Sequence, residues 1–548
     1  MMAQTVRTGI LLIGILLLAI ACCESSQLVA QDIQRTVVAT DPATQVPVGL
    51  SPEQIAALDA QIEQMRKDWK VPGLSVAIVQ DDQVLLCKGY GVRELGKDAA
   101  ADEDSLYAIA SNTKAFTAAA LAILVDEGKV RWDDLVSKYL PWLRLSDPLA
   151  TSDLRVRDLL CHRSGLGTFS GDLLWWGTSY SPREILERSV HLKPENPFRG
   201  GYGYSNLMYL AAGEVIQVAS GMSWGDFVKQ RILDPLKMER TRVSTHDLVG
   251  MSNVATPHKT LSDRSVPIPW MNWDSMVGAG GIISSASDMS DWLRLQLRGG
   301  TLVDGTRIFS PETSYEMWQP QTIIPLSKAR SLRIPSNHFR AYGLGWSLSD
   351  YQGVKLVGHS GGYDGMYSET LMVPERNLGI AVLTNSMTSI GNSICYTIVD
   401  RAVNGPDRDW SSENLKQFRK GREEFYGKIA AAIKPTAEGT KPSHPVEAYT
   451  GVFECPLYGK ATVETNEDKL RIRFQPYSEL TATLEHLHYD TFVIKWDKSF
   501  AWFEEGTAHF VADAKGRLTR IELNVPNDDL WFHELKLSRI GPSPKKPE

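Results

Sequence analysis

Strand-like segments stand at the two ends of a long helical middle, and this arrangement constrains the fold more than any other feature of the chain. "LSVAIVQ" (74–80) and "QVLLCKGYGV" (83–92), split by Asp81-Asp82, read as a β-hairpin. Strand patterning returns at 342–384 in "YGLGWSLSD", "VKLVGH", "SETLMVP" and "LGIAVLTN". These runs are separated by the turn residues Tyr351-Gln352-Gly353 and Pro374-Glu375-Arg376-Asn377. Between the two blocks the spacing predicts a helix over 111–127 and others near 155, 181, 205, 225, 285 and 310, with a last one over 391–403. One antiparallel sheet drawn from both ends and flanked by helices satisfies this order, an α/β (α+β) architecture with a helical subdomain. Helix 111–127 is apolar nearly all round ("AFTAAALAILV"), so it is expected at the centre. Ahead of the hairpin, Ser51 suits a cap and Pro52 the first helical position. Ile55, Leu58, Ile62, Met65 and Trp69 then form one apolar stripe.

The chain has 548 residues, enough for more than one core. Residues 411–434 read as a polar helix and "KPTAEGTKPSHP" as a linker. From about 447 to 538 short strands follow one another, predicting a small all-β barrel or sandwich. The expected organisation is a signal segment (1–30), a polar tether (31–50), a main domain (51–405), a helix and linker (406–445) and a small β-rich domain (446–540). In the first segment Arg7 is the only charge before "GILLIGILLLAIA", a run too short to span a membrane comfortably and typical of a secretory signal. It ends either at a general cleavage site ("AIAC", or "LVAQ" near Ala30) or before a lipidated Cys22 or Cys23. Either way the mature protein is expected outside the bacterial inner membrane, in the periplasm or tethered to a membrane through an N-terminal lipid. Net charge is −7, which argues against a nucleic-acid partner. Cys87, Cys161, Cys395 and Cys455 lie far apart with no C-x-x-C spacing, and no His/Cys cluster suggests a metal. No cofactor is expected, and the expected partner is a small molecule or short peptide.

Three short motifs carry chemistry. Ser111 and Lys114 form S-x-x-K at the start of helix 111–127; at i and i+3 the two side chains share a face. The first turn favours developing negative charge, and a buried Lys114 loses its proton more readily and can deprotonate Ser111. Alone the pattern is weak, since Ser543 and Lys546 repeat it in a Pro/Lys tail. Tyr204-Ser205-Asn206 is the only Y-x-N of the chain and leads into "LMYLAAGEVI". A tyrosine near a lysine can relay a proton, and the asparagine can orient a substrate carbonyl. Third, Gly358-His359-Ser360-Gly361-Gly362 matches G-x-S-x-G, the signature of a nucleophilic serine on a strand-to-helix elbow. The segment that follows, "YDGMYSETLMVP", alternates like a strand, which disfavours an α/β-hydrolase using Ser360.

The ordered set S-x-x-K, Y-x-N and [KH]-[ST]-G resembles the serine β-lactamase and penicillin-binding-protein superfamily, and within it the class C branch with its esterases, D-aminopeptidases and D,D-peptidases. "LLCHRSGL", "GAGGIISSASDMSDWL", "YGLGW" and "GHSGGYDG" support that branch, over roughly 52–403. The β-rich tail resembles a module appended to such hydrolases. The resemblance implies that Ser111 forms an acyl-enzyme on an ester or amide and that Lys114 and Tyr204 move protons. The backbone N–H groups of Ser111 and Gly362 would hold the oxyanion, Asn206 would contact the substrate, and His359 would line the opposite wall with Ser360 and Gly361 and support the proton network as a catalytic residue. A binding or sensing protein with slow turnover is the alternative. Relatives that cleave lactams usually carry lysine where His359 stands, so D-amino-acid peptides, esters and amides compete with β-lactams as substrates. The loop 167–182, with Trp175 and Trp176, is expected to shape the pocket.

Overall fold

The computed structural model describes residues 49–261, 264–466 and 469–542. The signal segment and all but the end of the tether lie outside the described residues. The first helix of the described residues, α1 (Pro52–Asp68), starts as its sequence requires: the Ser51 side chain accepts from the Gln54 backbone N–H while the Gln54 side chain caps Ser51 in return. The hairpin follows as β1 (Gly73–Gln80) and β2 (Gln83–Gly91), with Asp81 and Asp82 both at positive φ (48° and 65°), as a two-residue turn matching strand twist demands. The helical middle contains α2 (Thr113–Asp126), α3 (Asn206–Ser220) and α4 (Ala286–Leu297). Six further strands complete the sheet: β3 (Thr322–Ile323), β4 (Arg340–Tyr342), β5 (Ser347–Tyr351), β6 (Val354–Tyr363), β7 (Met366–Val373) and β8 (Leu378–Thr384).

The eight strands run in the order β2-β1-β8-β7-β6-β5-β4-β3. The join between the two ends of the domain is the antiparallel pair β1 and β8, in register from Leu74 opposite Thr384 to Gln80 opposite Leu378. Both strands are buried along their whole length, and their alternation sorts side chains between two cores. Leu74, Val76 and Ile78 of β1, with Ile380 and Val382 of β8, face α1 and the helices α5 (Ile390–Val403) and α6 (Trp410–Ala432). Ala77 and Val79, with Ala381 and Leu383, face the opposite core, which contains α2, α3 and α4. The result is a sheet between two helical layers. The α2 side chains are buried continuously from Thr113 to Leu124, as expected for the central helix.

Two local expectations need correction. Residues 110–112 form a 3₁₀ turn before α2, because Ala110 takes a left-handed backbone (φ 46°) and the α-helical ladder starts only at Thr113. "YGLGWSLSD" is two strands rather than one. Gly345 (φ 84°) packs so closely on α2 that a Cβ there would sit 2.8 Å from Ala118 Cβ and 2.9 Å from the Lys114 carbonyl oxygen. The chain must break pairing to make that approach.

After α6 comes a closed eight-stranded barrel, β9 (Gly451–Cys455), β10 (Gly459–Asn466), β11 (Lys469–Phe474), β12 (Thr481–His488), β13 (Thr491–Trp496), β14 (Gly506–Ala512), β15 (Leu518–Asn524) and β16 (Leu537–Gly541). Pairing of β9 with β16 closes it and leaves no free edge. The barrel shares one compact unit with the sheet and helices. The loop 167–182 is its docking platform. Trp176 is fully buried with its ring 5.3 Å from Tyr477, 5.3 Å from Phe500 and 5.4 Å from Phe503 of the barrel. Glu534 accepts from Ser170 Oγ (2.5 Å) and the Gly171 N–H (2.9 Å), and Tyr180 Oη donates to the Tyr458 carbonyl (2.8 Å). Trp176 therefore anchors the barrel, where the sequence suggested a pocket wall. Because the indole is completely enclosed, Trp176→Ala is expected to lower unfolding stability by about 3–5 kcal/mol, read from chemical denaturation midpoints.

Candidate active site

The turn that carries Ser111 is stapled to the sheet. Ser368 Oγ of β7 donates to the Ile109 carbonyl (2.7 Å), Asn112 Nδ2 donates to Ser368 Oγ (2.8 Å), and Thr370 Oγ1 donates to Asn112 Oδ1 (2.5 Å). Strand β6 runs against the same turn. A Cβ on Gly361 would lie 2.2 Å from the Ile109 carbonyl oxygen and 2.9 Å from the Ser111 nitrogen, so only glycine allows the strand this close. Ser360 lies inside β6, paired opposite Glu369, with no helix after it. The strand-to-helix elbow is thereby excluded.

Lys114 is fully buried. Its Nζ donates to Asn206 Oδ1 (2.7 Å) and to the Ala279 carbonyl (2.9 Å), and lies 3.0 Å from Ser111 Oγ. The first two partners only accept, so they take two hydrogens and leave the third direction, toward Ser111, for either a third proton or a lone pair. Burial pushes the Lys114 ammonium down to about 7, against a smaller opposing pull from Asp172. Asp172 reaches the same network through Asn206 Nδ2 (2.7 Å), and burial raises its carboxyl to about 8. Asn206 thus bridges Lys114 and Asp172.

Tyr204 packs beside this group, its ring 4.2 Å from that of His162 and 4.8 Å from Lys114 Nζ. Burial holds its phenol well above the usual tyrosine range, and a hydrogen bond with Ser111 offsets part of that rise. His359 Nδ1 is 2.6 Å from the Ser360 carbonyl and Nε2 is 2.7 Å from Tyr342 Oη. The carbonyl only accepts, so Nδ1 carries the hydrogen and Nε2 takes the tyrosine hydroxyl. Burial and the nearby Lys114 charge push His359 down to about 3, so it is neutral at ordinary pH.

Ser111, Tyr204, Asn206, His359, Ser360 and Gly362 line one cavity of about 420 Å³, with Lys114 behind Ser111 and Gly361 packed under it. Trp175 is a wall of this cavity, as expected. Sequence reasoning missed Asp172, Arg340, Trp502 and Asp529, which line it too. An acid inside the apolar stretch "GTFSGDLLWW" was a signal for Asp172; Trp502 and Asp529 come from the barrel and carry no local one. A larger cavity of about 850 Å³, beside Trp224 and Glu214, holds none of these groups.

The arrangement has relatives. The family described as Beta-lactamase matches residues 58–394, and the one described as Domain of unknown function (DUF3471) matches 435–539. The chain is 31% identical over 436 residues to Unguisins hydrolase ungD' of Aspergillus campestris, spanning 74% of this chain and 77% of that protein. It is 29% identical over 377 residues to Protein flp of Staphylococcus aureus, spanning 66% of this chain and 69% of that one. Among solved structures, the octameric penicillin-binding protein homologue from Pyrococcus abyssi shares the fold with a TM-score of 0.56 and 22% identity, over 88% of this chain and all of that one. The D-amino acid amidase from Ochrobactrum anthropi, solved with L-phenylalanine amide, gives 0.50 and 26%, over 66% and 99%. With its sheet, its helical subdomain and the match over most of their length, the chain belongs to the beta-lactamase family and carries a DUF3471 domain after the family's own fold.

Proposed function

We propose that the protein hydrolyses amides and esters through an acyl-enzyme on Ser111, with Lys114 as the base. The observation that carries this reading is the bonding of Lys114 Nζ: two carbonyl-type acceptors hold its hydrogens, so the neutral amine presents its lone pair to Ser111 Oγ. In acylation the Ser111 oxygen attacks the substrate carbonyl and its proton passes to Lys114. The tetrahedral oxyanion rests on the N–H groups of Ser111 and Gly362. As the carbon–leaving-group bond breaks, Tyr204 gives its phenol proton to the leaving group and regains one from Lys114. Burial keeps Tyr204 protonated, which suits a donor rather than a resting phenolate. Water then attacks the acyl carbon, giving its proton to the same pair, and Ser111 is released with a free acid.

The substrate class follows from His359. A neutral histidine provides no fixed positive charge for the carboxylate of a β-lactam, which favours esters, amides and short peptides of D-amino acids. The names of two relatives, a hydrolase and a D-amino acid amidase, agree with this direction.

Ser111→Ala is expected to lower hydrolysis of p-nitrophenyl acetate by at least about 1,000-fold and to abolish fluorophosphonate labelling; a label on Ser360 instead would overturn the assignment. Because the active base is the deprotonated Lys114, kcat/KM should rise with pH through an apparent pKa near 7 and level off above it, a shape measurable with the same ester. Short-chain p-nitrophenyl esters should be turned over faster than a chromogenic cephalosporin, and the reverse order in a parallel assay would restore a lactamase role.

A further inference from the structure

The barrel loop between β15 and β16 holds one acid in a fixed place without using its charge. Asn527 organises the loop: its Nδ2 donates to the carbonyls of Val525 (2.9 Å) and Leu530 (2.8 Å), and its Oδ1 accepts from the N–H groups of Asp529 (3.1 Å) and Leu530 (2.5 Å). Leu530 and Phe532 are buried, and Glu534 ties the far end of the loop to Ser170 and Gly171. Asp529 and Leu530 thereby become part of the cavity that holds Ser111. Among the described residues nothing donates a hydrogen bond to the Asp529 carboxylate and no cation pairs with it, although Arg340 lines the same cavity.

A carboxylate in such a place is costly unless something compensates it. Burial and the neighbouring Asp528 raise it to about 7, and its charge is felt at Asp172 and Tyr367 inside the site. The lining of the cavity that it shares with Ser111 includes apolar side chains, Phe169, Trp175, Trp273, Met276 and Trp502 among them. No group of three acidic, histidine or cysteine side chains fit to hold a metal occurs among the described residues, so a cation with its own hydrogen-bond donors suits the site better than a bare ion.

We propose that Asp529 is the receptor for the α-ammonium group of the substrate's acyl part, so that the DUF3471 barrel completes the active site of the hydrolase and selects substrates with a free amino terminus beside an apolar side chain. The assignment to the acyl part rests on Ser111 being the nucleophile; ammonium binding itself does not.

The test therefore reads binding in the full chain carrying Ser111→Ala, where turnover plays no part. Phenylalanine amide, as each enantiomer, and N-acetylphenylalanine amide are titrated calorimetrically. At least one enantiomer of the free amine is expected to bind about tenfold or more tighter than its acetylated form, the range of a charge-assisted hydrogen bond. Asp529→Asn should remove that preference, and Asp529→Lys should invert it toward N-succinylphenylalanine amide, a gain that misfolding does not produce. Equal affinity for amine and acetylated amide before mutation overturns the proposal, as does a preference that survives both substitutions. A failure of Ser111 labelling in the parent chain bears on the nucleophile alone.

Discussion

Lys114 has no contact with water, and two of the directions in which its nitrogen bonds are filled by oxygens that only accept. Most of the site follows from that. An ammonium there would carry the desolvation cost of a full charge, so the lysine gives up its proton near neutrality. The same positive charge, when present, presses His359 toward neutrality from across the cavity. Asn206 and Asp172 extend the network away from Ser111, so the serine hydroxyl is the one partner of Lys114 that can change its role during a reaction. Removing Asn206 would leave both a buried lysine and a buried acid without their shared partner.

The sequence made the frame of this site readable because its parts obey local rules. Ser111 and Lys114 are separated by one helical turn, and the strands at 74–91 and 354–384 alternate with period two. The pairing of β1 with β8 follows once strands at both ends must share one sheet. What could not be read depends on contacts between distant segments. The left-handed Ala110 and the close pass of Gly361 appear only when β6 lies against the turn. Trp175 and Trp176 are adjacent and alike in chemistry, yet one faces the cavity and the other the barrel. Arg340 precedes a recognisable "AYGLGW" but has no pattern of its own.

Asp364, in the turn after β6, shows how tightly the two parts are joined. Its carboxylate accepts from the indoles of Trp273 (2.9 Å) and Trp176 (3.3 Å) and interacts with that of Trp502 from the barrel. One buried acid thus gathers three tryptophans from three separate segments. The motif strand, the pocket loop and the barrel share a single polar anchor, and each indole N–H it satisfies would otherwise be an unpaired donor in an apolar setting.

The closed form of the barrel has a further consequence. A sheet without edges keeps its backbone hydrogen bonds to itself, so it contributes to its neighbour only through loops and side chains. Ser111 and the groups proposed to react with it belong to one part of the chain, and the wall formed by Trp502 and Asp529 belongs to another. Changes in the barrel loops can therefore retune the cavity while the serine and lysine stay untouched. If Asp529 acts as proposed, selectivity and chemistry lie on separate stretches of the sequence.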